Sequence, residues 1–254
     1  MPIVPRKDTF VVSLSAGGRV TAVTYVAKGS VGTLVLAHGA GANQSHPFMV
    51  RTATGLAERG VETTTFNFSY TEAGRRAPDP APKLEACFRD VVAKVRARTG
   101  NPRLFLGGKS MGGRMASHLA AGSDGKPPEE VQGLVFLGYP LHPPGHPEKL
   151  RSEHLARIGA PMLFVQGTRD AFGTPEELRP VLAGLRSRVV VFPVEEGDHS
   201  FKVPKRAGVS EDAVIASVLE RVAAFVRETQ NVLPAPRVTA RSPSGTPSTK
   251  TSKP

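Results

Sequence analysis

Residues 101–121 read NPRLFLGGKSMGGRMASHLAA, and the fold follows from how this stretch is parsed. A short apolar run, Leu104-Phe105-Leu106, passes at once into Gly107, Gly108, Lys109, Ser110, Met111, Gly112 and Gly113, and then into residues with helical character. Strand, tight turn and helix follow one another without a spacer. Within that turn Gly108-Lys109-Ser110-Met111-Gly112 matches G-x-S-x-G, whose glycines allow a bend sharp enough to expose the serine hydroxyl at the strand's end. Ser110 is therefore the candidate nucleophile. The amide of Met111, at the start of the helix, would face negative charge developing on a substrate.

The letters Gly108-Lys109-Ser110 also invite a phosphate-binding reading. That motif requires a glycine five positions earlier, where this chain has Arg103. Residues 103–106 are also apolar strand, where a phosphate-binding loop must be flexible. A third reading, in which the glycines only form a turn and the serine is incidental, stands or falls on whether catalytic partners occur downstream.

Working outward, apolar runs recur at residues 33–37, 63–68, 103–106, 133–137, 161–165 and 188–194. With amphipathic segments between them, they indicate a mostly parallel sheet covered on both faces. Two alternating segments, 9–14 and 20–26, joined through Ala16-Gly17-Gly18-Arg19, precede them as an antiparallel hairpin. The expected architecture is one α/β domain over residues 1–230 with an eight-stranded sheet. Between 82 and 98, Leu84, Cys87, Phe88, Val91, Val92 and Val95 fall on a single helical stripe that Gly100 stops. Cys87 lies within that stripe, as a core residue rather than a reactive thiol. Thr174-Pro175-Glu176-Glu177 has the form of a capping box. Ser210-Glu211-Asp212 opens a final helix. The connection from 137 to 161 is too short for a lid domain, and 69–82 reads as irregular loop.

Residues 231–254, NVLPAPRVTARSPSGTPSTKTSKP, contain no acid and no aromatic, and are expected to form a disordered tail. The tail holds four of the net eleven positive charges and leaves seven on the body. Such charge attracts polyanions non-specifically. No nucleic-acid-reading pattern accompanies it, so no specific nucleic-acid partner is expected. The chain begins MPIVPRKDTF, without the apolar core of a secretory signal, and no run is long enough to span a bilayer. A cytoplasmic protein with no membrane association is expected. A single cysteine rules out an internal disulfide.

Serine needs a base, and the base a carboxylate to orient it. In a parallel sheet these should follow the C-terminal ends of strands. Asp170, in Gln166-Gly167-Thr168-Arg169-Asp170, and His199, in Glu196-Gly197-Asp198-His199-Ser200-Phe201, meet that condition, and the order Ser, Asp, His suits a nucleophile elbow. Asp198 ranks second as the acid because neighbouring residues point apart. His118 falls in the helix after Ser110, where a structural role is expected. Glu176 and Glu177 are explained by capping. The loop His38-Gly39-Ala40-Gly41-Ala42-Asn43 should supply the second oxyanion donor, the Ala40 amide, to act with that of Met111. His38 braces that loop, and no cluster supports a metal role. Phe48, Tyr139, His142 and Phe172 are candidate pocket walls. Lys109, Arg75 and Arg76 would favour an anionic substrate, although exposed loop arginines are ordinarily just solvated.

Together the elbow, HGAGAN, GTRD and GDHSF resemble the α/β-hydrolase superfamily over about residues 8–229. The segments AHGAGANQSHPFM, FNFSY, GRRAPDPAP, GGKSMGGRMAS, GYPLHPPG and QGTRDAFGT are further similar to a family of small, lidless bacterial hydrolases. That family also includes testis-expressed protein 30 and a regulatory subunit of a chromatin acetyltransferase complex. The resemblance implies a doubly wound fold and the Ser110, Asp170, His199 assignment. Dienelactone hydrolases are loosely similar but carry cysteine where this chain has Ser110, so their reaction is not carried over. The expected function is hydrolysis of small acyl esters or thioesters through an acyl-enzyme, with no cofactor and no metal. The alternatives are amide or peptide hydrolysis with the same residues, and a non-catalytic interaction protein on a hydrolase scaffold.

Overall fold

A computed structural model describes residues 5–100, 103–123 and 125–229. The 231–254 segment expected to be a disordered tail lies outside them. Eight strands form one sheet: β1 (Lys7–Ser13), β2 (Arg19–Tyr25), β3 (Gly32–Ala37), β4 (Val61–Phe66), β5 (Leu104–Lys109), β6 (Gly133–Leu137), β7 (Met162–Gly167) and β8 (Val189–Val194). Their order is β1-β2-β4-β3-β5-β6-β7-β8. The hairpin β1–β2 joins antiparallel to β4, and the remaining pairs are parallel. The order in which the chain adds strands reverses at β3, with β4 on one side and β5 on the other, so the loops leaving the C-terminal ends of β3 and β5 diverge and leave a crevice there.

Six helices complete the fold: α1 (Pro47–Glu58), α2 (Ser69–Glu72), α3 (Ala81–Thr99), α4 (Met111–Ala121), α5 (Pro175–Leu182) and α6 (Glu211–Thr229). Both faces of the sheet are covered, which is why β3, β6 and β7 are buried at every position rather than alternating. On one face Leu84, Phe88, Val91 and Val95 of α3 pack with Met115 and Leu119 of α4. On the other, Met49 and Leu56 of α1 pack with Ile215, Val218 and Val222 of α6. Cys87 is buried on its stripe, and burial pushes its thiol up to about 11.

The local signals behave as the residues dictate. Gly100 ends α3 in the left-handed conformation, at φ 58°. Thr174 Oγ1 accepts the Glu177 amide at 3.3 Å while Glu177 Oε2 accepts the Thr174 amide at 2.7 Å, a complete capping box. The stretch expected to be irregular loop opens instead with one helical turn, α2. There the Glu72 carboxylate accepts from Thr21 Oγ1 at 2.6 Å and Asn67 Nδ2 at 2.9 Å, tying the turn to β2 and the end of β4. The strand expected at 63–68 runs two residues earlier, because Phe68 serves as N-cap of that turn. No helix among the described residues is long and apolar enough to cross a membrane. The 137–161 connection carries only a short 3₁₀ turn, Glu153–Arg157, and no lid domain.

Candidate active site

Ser110 occupies the junction of β5 and α4 at φ 51°, ψ −117°, a conformation that side-chain-bearing residues seldom adopt. What holds it there is close packing. A methyl group on Gly108 or Gly112 would collide with backbone atoms, including the Ala37 carbonyl oxygen at the end of β3. Only glycine lets the first turn of α4 sit so tightly against β3 and β5. Ser110 stands at the N-cap position, yet its hydroxyl makes no capping bond. It lies instead 2.9 Å from His199 Nε2.

His199 follows β8, and Asp170 follows β7. The Asp170 carboxylate receives His199 Nδ1 at 2.8 Å on one oxygen and 3.0 Å on the other. Thus the three residues singled out from the sequence meet at one edge of the sheet, although Ser110 and His199 are 89 positions apart. Asp170 is 2% exposed, and its remaining acceptor capacity is satisfied by the Phe172 amide at 2.8 Å and Gln166 Nε2 at 2.8 Å. With Asp170 accepting at Nδ1, the imidazole carries its proton there and leaves Nε2 as an acceptor facing the Ser110 hydroxyl. The Phe172 ring lies 4.2 Å from the imidazole, centroid to centroid, at 32°, and fixes its plane.

Asp198, the second-ranked acid, is committed elsewhere. Its Oδ1 accepts the Ser200 and Lys202 amides at 2.7 and 2.9 Å and shapes the turn that presents His199. His118 likewise has a structural partner, with Nδ1 2.7 Å from Glu85 Oε1.

His38 is fully buried in the loop after β3. Its Nδ1 donates to the Gly39 carbonyl at 2.8 Å, while Nε2 accepts from the Phe68 amide and Thr71 Oγ1, each at 3.3 Å. Burial holds its pKa down to about 4, so the ring is neutral and acts as a brace. The loop it braces rests on the elbow, since a Cβ at Gly39 would lie 3.6 Å from Ser110 Cβ. Ala40 and Met111 both border the cavity that opens over Ser110.

That cavity has a volume of about 770 Å³, the scale of a small-molecule site. Phe48 and Phe172 line it, as the sequence suggested. Tyr139 and His142 do not. Tyr139 is fully buried behind the site, its ring against Phe136 and Phe164 and its hydroxyl donating to the Arg151 carbonyl at 2.8 Å. His142 is 5% exposed, bonded through Nδ1 to the Pro143 carbonyl oxygen at 2.9 Å, with Nε2 3.3 Å from Glu177. Both follow β6, and the chain there turns their side chains inward. Arg75 is paired with Asp79 at 2.7 Å, and neither it nor Arg76 borders the cavity. Lys109 contributes to the wall, but its ammonium is sealed and has no hydrogen-bond acceptor. It abuts Gly138 beside the His199 ring, and burial lowers its pKa to about 8.

Sequence reasoning missed Gln166, whose side chain joins three backbone segments. Its Nε2 lies 2.8 Å from Asp170 Oδ2, 2.6 Å from the Gly173 carbonyl and 3.3 Å from the Tyr139 carbonyl, and its Oε1 accepts the Tyr139 amide at 2.8 Å. The signal was present as a lone amide in the otherwise apolar run Met162-Leu163-Phe164-Val165-Gln166. Among the described residues no group of three or more His, Cys, Asp or Glu could hold a metal ion.

The profile of a family described as "Alpha/beta hydrolase domain" matches residues 30–227. Among solved structures, the chain is similar to a dienelactone hydrolase from Anabaena variabilis at 18% identity and a TM-score of 0.69, over 88% of this chain and 98% of that one. It is also similar to an α/β serine hydrolase without lid from Xanthomonas campestris at 18% identity and a TM-score of 0.67, covering 90% and 97%. A third likeness is to an esterase domain from Rhodothermus marinus, at 16% identity, a TM-score of 0.66, and coverage of 88% and 98%. At such identities the likeness is one of fold.

Proposed function

Because this chain belongs to the α/β-hydrolase family, we propose that it is a serine hydrolase that cleaves small acyl esters or thioesters through an acyl-enzyme on Ser110. The observation that carries this reading is the unbroken chain of contacts from Ser110 Oγ to His199 Nε2 and from His199 Nδ1 to Asp170. An interaction scaffold gains nothing from keeping a serine in a strained turn with its hydroxyl directed at an oriented imidazole.

In the first half-reaction His199 Nε2 removes the Ser110 proton as Oγ bonds to the acyl carbon, and the carbonyl π electrons move onto oxygen. Asp170 stabilises the imidazolium that forms. The Met111 and Ala40 amides stabilise the oxyanion; one such donor contributes about 3 kcal/mol, roughly a hundredfold in rate. The intermediate collapses with transfer of the imidazolium proton to the departing alkoxide or thiolate. Water then enters, loses a proton to His199 and attacks the acyl carbon; the Oγ–carbon bond breaks as the imidazolium returns its proton to Ser110, and the acid is released. The Phe48 and Phe172 rings offer the apolar wall for the acyl chain.

Labelling by a fluorophosphonate probe tests the assignment. Wild type should label and Ser110→Ala should not, and p-nitrophenyl ester turnover should disappear with the label. Equal labelling of the two proteins would overturn the role given to Ser110.

A further inference from the structure

Resting on the hydrolase reading, we propose that the natural substrate carries a second group ionised at neutral pH, a carboxylate or a phosphate, and that Arg114 and Arg151 bind it. Both arginines border the cavity that holds Ser110 and His199. Arg114 lies on α4 one helical turn beyond Ser110, and its amide donates to the Ser110 carbonyl at 3.1 Å. Arg151 lies in the loop after β6, held at both its backbone groups. Its amide donates to the Leu141 carbonyl at 2.8 Å, and its carbonyl accepts the Tyr139 hydroxyl at 2.8 Å. Two arginines on anchored backbone thus border the same cavity as Ser110.

Neither has a carboxylate partner among the described residues. Elsewhere the arginines are largely paired, as with Arg89 and Glu129, Arg188 and Glu228, and Arg98 and Asp8. Glu211 is the one carboxylate on the described cavity wall, and it lies 3.9 Å from Arg51, which is also engaged by Asp212 at 2.6 Å. Arg114 Nε is sealed from solvent without an acceptor. Burial first, and then the neighbouring Arg151, lower the Arg114 pKa. Glu85 offsets this from a distance without pairing with Arg114, and half-buried like charges with no counter-ion in contact are costly to hold together unless an anion joins them. A planar guanidinium is suited to take a carboxylate or phosphate through two parallel hydrogen bonds. The Lys109 ammonium, sealed behind the wall, adds to the same positive field. The acyl or leaving group therefore carries its charge where these two side chains border the cavity.

Matched ester pairs test this on the full chain. Mono-p-nitrophenyl glutarate against p-nitrophenyl pentanoate places a carboxylate on the acyl side. 4-Acetoxybenzoate and 4-acetoxyphenyl phosphate, each against 4-acetoxybenzamide, place a carboxylate or a phosphate on the leaving side. At low ionic strength at least one anionic ester should exceed its neutral partner tenfold or more in kcat/KM, chiefly through KM, and added salt should shrink that ratio. Arg114→Gln and Arg151→Gln should each lower the ratio about tenfold, with Arg151→Lys in between. Ratios near one in every pair, or ratios unmoved by either substitution, would overturn the inference while leaving the hydrolase reading intact. If no ester is cleaved and Ser110 does not label, the hydrolase reading fails. The anion site is then decided by calorimetric titration of glutarate and inorganic phosphate: binding lost in Arg151→Gln upholds it, and absence of binding to wild type overturns it.

Discussion

Gln166 donates its side-chain amide to Asp170 Oδ2 at 2.8 Å from within β7, so the acid is aimed by the same strand that delivers it. Because that amide also bonds to the backbone of Tyr139 and Gly173, it fixes the loops after β6 and β7 relative to each other. Gln166→Leu would leave buried polar groups unpaired at about 1–3 kcal/mol each. We expect a large loss of stability by urea unfolding, and at least a tenfold drop in kcat on a p-nitrophenyl ester in the fraction that remains folded. A variant of unchanged kcat would show that Asp170 needs no such support.

Asp170→Asn replaces an acceptor opposite His199 Nδ1 by a group that can donate. The imidazole would then favour the tautomer with its proton on Nε2, facing Ser110, where it cannot serve as base. The expected loss in kcat is about 10³–10⁴-fold, measured against wild type under the same conditions. A loss below tenfold would shift the acid's role to another residue.

Lys109 provides a pH-dependent readout. Its pKa is lowered to about 8 from 10.5, so between those values the unfolded chain binds more protons than the folded one. Stability therefore rises with pH across that window, and the full cost of the buried charge is present below pH 8. Lys109→Met should be more stable than wild type at pH 7, by up to about 3 kcal/mol. The difference should narrow from pH 8 towards 10.5, as followed by urea midpoints. A gap that does not vary with pH would mean that the ammonium is solvated.

His38 gives a window of the same sign at lower pH. Its pKa falls from 6.5 to about 4 on burial, so acid protonates the unfolded chain first. Wild type should lose up to about 3 kcal/mol from this group as pH drops from 6.5 to 4, and regain it above. His38→Asn should start less stable at pH 7, having lost the brace, but fall away less steeply in acid. Parallel pH profiles would refute a neutral buried imidazole.

Much of this molecule was legible from local pattern, and the reason is that local chemistry decided it. The α3 stripe, the Thr174 capping box and the G-x-S-x-G turn each depend on residues a few positions apart, and each formed where the letters indicated. Asp170 and His199 could be chosen because strand ends in a parallel sheet share one edge. Side-chain direction within a loop obeys no comparable rule, which is why Tyr139 and His142 were expected in the cavity and lie in the interior. The bonds of Gln166 and the shared cavity wall of Arg114 and Arg151 depend on contacts between segments, so residue spacing could not reveal them.

The proposed catalytic group draws on loops after β5, β7 and β8, with His199 89 residues after Ser110. A chain synthesised only through β7 holds Ser110 without the His199 contact on which the proposed function rests. On that assignment the serine gains its base only once β8 has paired with β7 and the loop after it has reached Ser110. The order of synthesis thus sets when Ser110 can meet His199.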